Sequence, residues 1–404
     1  MIALNRLLIC SVGLFFSGLM SADAQEIEDN SGYSWSLEYK GDLVGNATGG
    51  LKRGQVFLGN IDAIAQFNGA RLWNLDGSTV FLYGLGNHGG KPSSLVGDAQ
   101  GLDNIEANQT FRLYEAWIEQ VFSGSRFSVL AGLYDINSEF DSKETSGLFI
   151  NSSHGIGPDF SQSGENGPSI FPVTSLGLRL KWSPNPSVYI QTVILDGVPG
   201  NPERPNGTWI QWGKNDGLLS ITELGFVHGN DAPSLSRTNS SLHDMRTAVG
   251  FWAYTSQSET LLPGSSYSNW GVYGMVEKNV LAEPGVEGQG LGLFARFGLA
   301  EPSINRFGLY ISSGLVYTGL IHGRDEDQVG LAIAIAKNTD DYREASKLGG
   351  MKTTSAEHNV EFSYLAALSS HASVQFDLQY YHHPDTNPDL DSALVGVMRW
   401  VISF

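Results

Sequence analysis

The sequence predicts an all-β protein: a transmembrane antiparallel β-barrel of about sixteen strands, with one long loop folded inward as a constriction. Three observations lead there. The final segment, 392–404, sets Leu394, Met398, Trp400, Ile402 and Phe404 at alternate positions and ends on the aromatic, with Arg399 and Ser403 on the other face. One face suits lipid and the other water, the pattern of a barrel's closing strand. Segments of roughly ten residues with the same period of two recur along the chain, the length a tilted membrane strand needs. The N-terminus, finally, has the form of an export signal.

Residues 1–24 carry Arg6, an apolar stretch from Leu7 to Met20, and Ala22-Asp23-Ala24 before Gln25, as expected of a secretory signal and its cleavage site. The stretch is too short for a spanning helix. A barrel domain over 25–404 follows. The sole cysteine, Cys10, goes with the signal, so no disulfide framework and no Cys-ligated metal site is expected in the mature chain. With 49 glycines, 11% aromatics and 15 prolines, the composition is that of a β-rich, turn-rich chain. A formal net charge of −18 argues against nucleic acid as a partner, since nothing could neutralise phosphates in bulk. A lumen of that sign disfavours anions unless positive groups line its narrowest part.

Alternation places strands near 34–42, 56–67, 78–85, 111–122, 126–134, 176–182, 188–195, 218–227, 246–255, 268–277, 291–299, 306–318, 328–337, 357–368, 373–382 and 392–404. Charged residues within a strand mark its inner face, because Arg or Lys against the bilayer midplane costs about 2–4 kcal/mol. Arg296 opposes Leu293, Ala295 and Phe297 and so points inward; Arg179 and Lys181 oppose Leu178, Leu180 and Trp182. The same parity turns in Glu115, Trp117 and Glu119, then Glu357, Asn359 and Glu361, then Gln375, Asp377 and Gln379. Such an interior is expected to be wet and too polar for a packed core.

With the N-terminus in the periplasm, the connections alternate between short periplasmic turns and long external loops at 86–110, 135–174 and 196–216. Connection 229–244 breaks the rule, being long where a short turn is expected. The longest, 135–174, lacks clear secondary structure yet spaces Phe140, Leu148, Phe149, Ile150, Phe160, Ile170 and Phe171 along its length. Apolar anchors argue against disorder, and folded inward the loop would narrow a channel to an eyelet.

Several runs carry a family likeness. Phe111-Arg-Leu-Tyr-Glu-Ala-Trp-Ile-Glu-Gln120, Ala131-Gly-Leu-Tyr-Asp-Ile-Asn-Ser-Glu-Phe140 and Gly147-Leu-Phe-Ile-Asn-Ser-Ser-His-Gly155 come first, followed by Leu176-Gly-Leu-Arg-Leu180 and Gly292-Leu-Phe-Ala-Arg-Phe-Gly298. Gly314 to Asp327 and Phe376 to Pro384 complete the set. In that order they resemble the carbohydrate-selective porins of Gram-negative outer membranes, the OprB-like family; His154 stands where an aromatic is commoner, and Phe376 where proline is expected. The resemblance implies an outer-membrane barrel, among lipid and lipopolysaccharide, passing monosaccharides such as glucose, and short oligosaccharides, by passive, saturable diffusion. Monomer and homotrimer both stay open. The alternative is a general or cation-selective porin without a sugar site.

Sugars offer hydroxyl edges to charged and amide groups and C–H faces to aromatics, and flux requires that binding be weak. The residues expected at the constriction are Arg179, Lys181, Arg296, Glu115 and Trp117 on the wall, with Asp135, Glu139 and Phe160 from the loop. No cofactor and no metal is expected. Gly84 to Gly89 matches G-x-G-x-x-G but opens no helix, so it reads as a turn. Asp385 to Asp391 spaces oxygen ligands without the glycine and glutamate of a calcium loop and reads as a solvated acidic turn. His358, His382 and His383 have no ligand partners at metal spacing and read as surface residues. Nor is an enzyme expected: a phospholipase-type barrel needs a Ser–His pair that His358 does not supply, and a secreted β-helix needs short repeats that are absent.

Overall fold

The computed structural model describes residues 32–404 apart from 123, 125, 229–244 and 284–287. The expected signal segment 1–24 with Cys10, and the anomalous connection 229–244, lie outside the described residues.

Sixteen antiparallel strands close into one barrel. They are β1 (Tyr33–Thr48), β2 (Gly54–Asn68), β3 (Ser78–Gly89), β4 (Thr110–Phe122), β5 (Phe127–Tyr134), β6 (Ser175–Asn185), β7 (Val188–Asp196) and β8 (Leu218–His228). Then come β9 (Met245–Glu259), β10 (Ser266–Ala282), β11 (Gly290–Ala300), β12 (Phe307–Thr318), β13 (Gln328–Asn338), β14 (Ala356–Ser369), β15 (Ala372–His382) and β16 (Ala393–Ser403). Each expected segment contains a strand. β8 pairs directly with β9 on either side of 229–244, which leaves the count intact. Closure comes from β1 on β16, where Asp42 lies opposite Arg399, and the Phe404 amide donates to the Leu37 carbonyl at 2.9 Å. A closed wall leaves no edge strand unpaired, which hydrocarbon requires.

Side-chain parity follows the charge argument. Phe297, Leu293, Leu178, Leu180 and Trp182 are exposed on the outside, while Arg179, Arg296, Glu115, Glu119, Glu361 and Gln379 are buried inside. On β4 a bulge sets Tyr83 against Glu115 but Gly84 against Leu113, so the extra residue Tyr114 and its neighbour Glu115 are both buried. Outside, Trp35 and Trp270 stand exposed and Trp400 stacks on Phe57 at 5.6 Å, consistent with aromatic girdles.

Three expectations need correction. The interior is not wet throughout: Phe81, Trp117, Leu130, Val193, Leu195, Ile221 and Trp252 of the wall form one buried cluster with Tyr134, Ile136, Phe140, Ile156 and Phe160. Alternation along a strand reveals wall charges but not the apolar anchors that the loop brings in to cover inward Phe, Leu and Trp. Second, 86–110 is no simple external loop. β3 runs on to Gly89, and residues 90–109 turn inward, burying Leu95, Val96, Leu102 and Ile105 against Val44, Leu58 and Val395. Third, Gly84 to Gly89, expected as a turn, is strand; a helix, Asp340–Leu348, occupies the connection before β14.

Candidate constriction site

Loop 135–174 is built from short helical turns, Ile136–Ser138, Thr145–Leu148, Ser152–His154 and Pro158–Ser161, linked by extended pieces. Two are capped by side chains: Asp135 and Asn151 each accept the amide two residues on. The loop bonds to inward groups of the wall along its course. Gln191 donates to the Glu139 carbonyl, Arg246 to the Ser142 carbonyl, and Gln375 to the Leu148 carbonyl. The Glu361 carboxylate accepts the Ile150 and Asn151 amides, and Tyr310 donates to the Ser153 carbonyl.

Two arginines hold the loop most firmly. On β6, Arg179 lies 2.6 Å from Glu119 and 3.0 Å from Glu139, with Lys181 adding a 3.2 Å contact to Glu139. On β11, Arg296 lies 2.7 Å from Asp141 and also pairs with Asp159, its guanidinium 5.2 Å from the Tyr310 ring centre. Both arginine side chains are 0% exposed. A guanidinium suits such places because its planar fork satisfies two carboxylates at once and is weakly hydrated. Gly157 allows the approach, since a Cβ there would collide with Arg296 and Tyr310.

The remaining expected residues also cluster by contact. Glu115 accepts the Trp117 indole N–H at 3.2 Å and the Asp135 amide at 3.1 Å, and Tyr114 donates to Asp135 at 2.7 Å. Trp117 stacks on Phe81 at 4.7 Å. Phe160 stacks on Trp252 at 4.8 Å and 9° and is fully buried. The structure thus groups Glu115, Trp117 and Asp135, and separately Glu139, Arg179 and Lys181. Arg296 and Phe160 stand apart, Arg296 on β11 and Phe160 on the returning limb of the loop.

Sequence reasoning missed the loop carboxylates Asp141 and Asp159 and the second inward segment. Loop 90–109 sends Asp103 and Asn104 to Arg399, at 3.2 and 2.8 Å, where Asp42 also binds at 2.6 Å, and the Ala99 amide donates to Glu357. Spaced apolar residues, the sign used for 135–174, were present at Leu95, Val96, Leu102 and Ile105 too. Within the long loop, burial foremost and the Lys143 charge next push the His154 imidazole down to about 3. Burial lowers Lys143 itself, whose ammonium donates to the Asp141 and Gly155 carbonyls. Asp385 and Asp389 of the acidic turn pair with Arg306 at 2.7 Å and Lys352 at 3.3 Å.

Comparison with known proteins gives a consistent picture. A family model described as "Carbohydrate-selective porin, OprB family" matches residues 56–404. Porin B of Pseudomonas aeruginosa is 24% identical over 416 aligned positions, covering 91% of this chain and 87% of that protein. Among solved structures, the high-pH form of Pseudomonas putida OprB superposes with a TM-score of 0.79 at 19% identity, covering 94% of this chain and 96% of the other. Its low-pH form gives 0.59 at 18% identity, covering 94% of each.

Proposed function

The chain belongs to the OprB family of carbohydrate-selective porins, and from that premise we propose that it passes monosaccharides such as glucose, and short oligosaccharides, across the outer membrane by passive, saturable diffusion. Proteins of this family and fold are channels rather than enzymes. The observation that carries the reading is the docking of loop 135–174 on the inner wall, fixed by Arg179 and Arg296 through the three loop carboxylates Glu139, Asp141 and Asp159. A docked loop narrows the water path, and a narrow path lined with polar groups strips hydration and replaces it with side-chain contacts.

In this proposal Glu115, Trp117, Asp135, Glu139, Phe160, Arg179, Lys181 and Arg296 make the constriction in two ways. Arg179, Arg296 and Phe160 set its shape by anchoring the loop. Lys181, with a side chain 12% exposed, adds a positive group at the water path. That charge moderates a net −18 chain, whose bulk field favours cations. Residues 1–24 serve as the export signal and are removed.

Liposome swelling tests the proposal. Hexoses are expected to enter faster than amino acids of similar size. Equal rates for all solutes of one size would favour a general diffusion porin and reject the sugar site.

A further inference from the structure

The two inward loops do not bond to the whole wall. Among the described residues, loop 135–174 bonds to β4, to β6 through β12, and to β14 and β15; loop 90–109 bonds to β14, β15, β16 and the upper parts of β1 and β3. The side chains of Glu38, Lys40, Asp62 and Tyr83 take no hydrogen bond from either loop and bond to one another or to the closing strand. Lys40 lies 2.9 Å from Glu38 and 2.9 Å from Asp62, Tyr83 donates to Asp62 at 2.7 Å, and Ser403 donates to Glu38 at 2.8 Å.

Two features mark this stretch of the wall. Lys40 is the most accessible ion-paired cation on the inner face among the described residues, its side chain 23% exposed against 14% for Arg246, 12% for Lys181 and none for Arg179 or Arg296. Beside it in register, with Lys40 on one side and Asn87 on the other, Asn60 is 2% exposed, and its side-chain amide nitrogen has no hydrogen-bond partner. A buried donor left unpaired carries a free-energy cost that a ligand acceptor would remove.

Resting on the reading of the chain as a sugar porin, we propose that Glu38, Lys40, Asn60, Asp62 and Tyr83 form a hydroxyl-binding subsite for a neutral hexose on the wall of β1–β3. The ammonium and the Asn60 amide donate to sugar oxygens, while the two carboxylates accept from sugar hydroxyls. Tyr83, partly exposed and edge-on to Tyr114 at 5.0 Å, offers an aromatic surface to the C–H face. One cation against two carboxylates leaves the subsite negative, so it selects against uronates and sugar phosphates.

Asn60→Ala is the cleanest probe, because that amide nitrogen makes no bond in the protein and its loss breaks no donor pair within the barrel. Single-channel current block by glucose is measured in planar bilayers for the wild type, Asn60→Ala, Lys40→Met and Lys40→Arg. The half-blocking glucose concentration is expected to rise about three- to tenfold in Asn60→Ala and Lys40→Met, the effect of losing a hydrogen bond, and to stay within about twofold in Lys40→Arg, which keeps a donor. Block in the wild type with unchanged constants in Asn60→Ala and Lys40→Met would overturn the subsite while sugar selectivity stood. No block in the wild type would overturn both.

Discussion

The Arg296 guanidinium reaches across 155 residues of sequence to lie 2.7 Å from Asp141 Oδ2, so one strand residue fixes where the long loop enters the barrel. Asp159, on the returning limb, closes the same guanidinium from the other side. Arg296→Ala removes the cation that both buried carboxylates share, leaving Asp141 with Lys143 3.6 Å away. Breaking such a pair costs about 3–5 kcal/mol, so the loop is expected to loosen where it meets β11. Single-channel conductance should rise, glucose block should weaken and reversal potentials should move further toward cations. Unchanged conductance and selectivity would show that Arg296 has no hold on the channel.

Arg179→Ala removes the cation shared by Glu119 and Glu139. Lys181 remains on Glu139 but does not reach Glu119, so part of the seat survives. The expected result is the same cation shift as for Arg296→Ala, but smaller in conductance. A double variant separates the two contributions, since pairs sharing one loop should not add.

Phe160 holds the loop by stacking rather than by charge, with Trp252 beneath it at 4.8 Å. Phe160→Ala should destabilise the seat by about 3–5 kcal/mol, as for other large-to-small changes in a packed core. Protease cleavage within 135–174, read on intact barrels, should accelerate while the barrel itself keeps its β spectrum. Equal cleavage rates would place Phe160 outside the packed interior.

His154 makes the loop seat depend on pH. In the docked loop burial holds its imidazole near 3, with Lys143 acting in the same direction and Glu361 3.5 Å away, whereas in a released loop it returns to about 6.5. The released form therefore binds more protons between these values. Docking is strongest above about 6.5 and weakens as pH falls toward 3. Hydrogen exchange of 136–160 should quicken over that window, and His154→Phe should flatten the part of the dependence due to this residue. A slope identical in both proteins would contradict the assignment.

The barrel was readable because a period of two is a local property: Leu293, Ala295 and Phe297 against Arg296 reveal lipid and interior faces without knowledge of any neighbour. What Arg296 meets inside was not readable. Asp141 and Asp159 are ordinary loop acids in the sequence and acquire meaning only when a fold brings them to β11. Burial was misjudged for the same reason, since inward Phe81 and Trp252 look like scattered lumen aromatics until Trp117 and Phe160 cover them. Loop 90–109 shows the limit of treating polarity as exposure: Asp103 is polar and yet 2% exposed, because Arg399 receives it.

The central claim is that a docked loop turns a wide barrel into a weakly binding sugar path, and the concentration dependence of glucose entry tests it most directly. In proteoliposomes loaded with the purified protein, the initial rate of labelled glucose entry should bend over and saturate, with a half-saturating concentration that Arg296→Ala raises. A rate strictly linear in glucose to the highest concentration, unchanged by Arg296→Ala, would contradict the account.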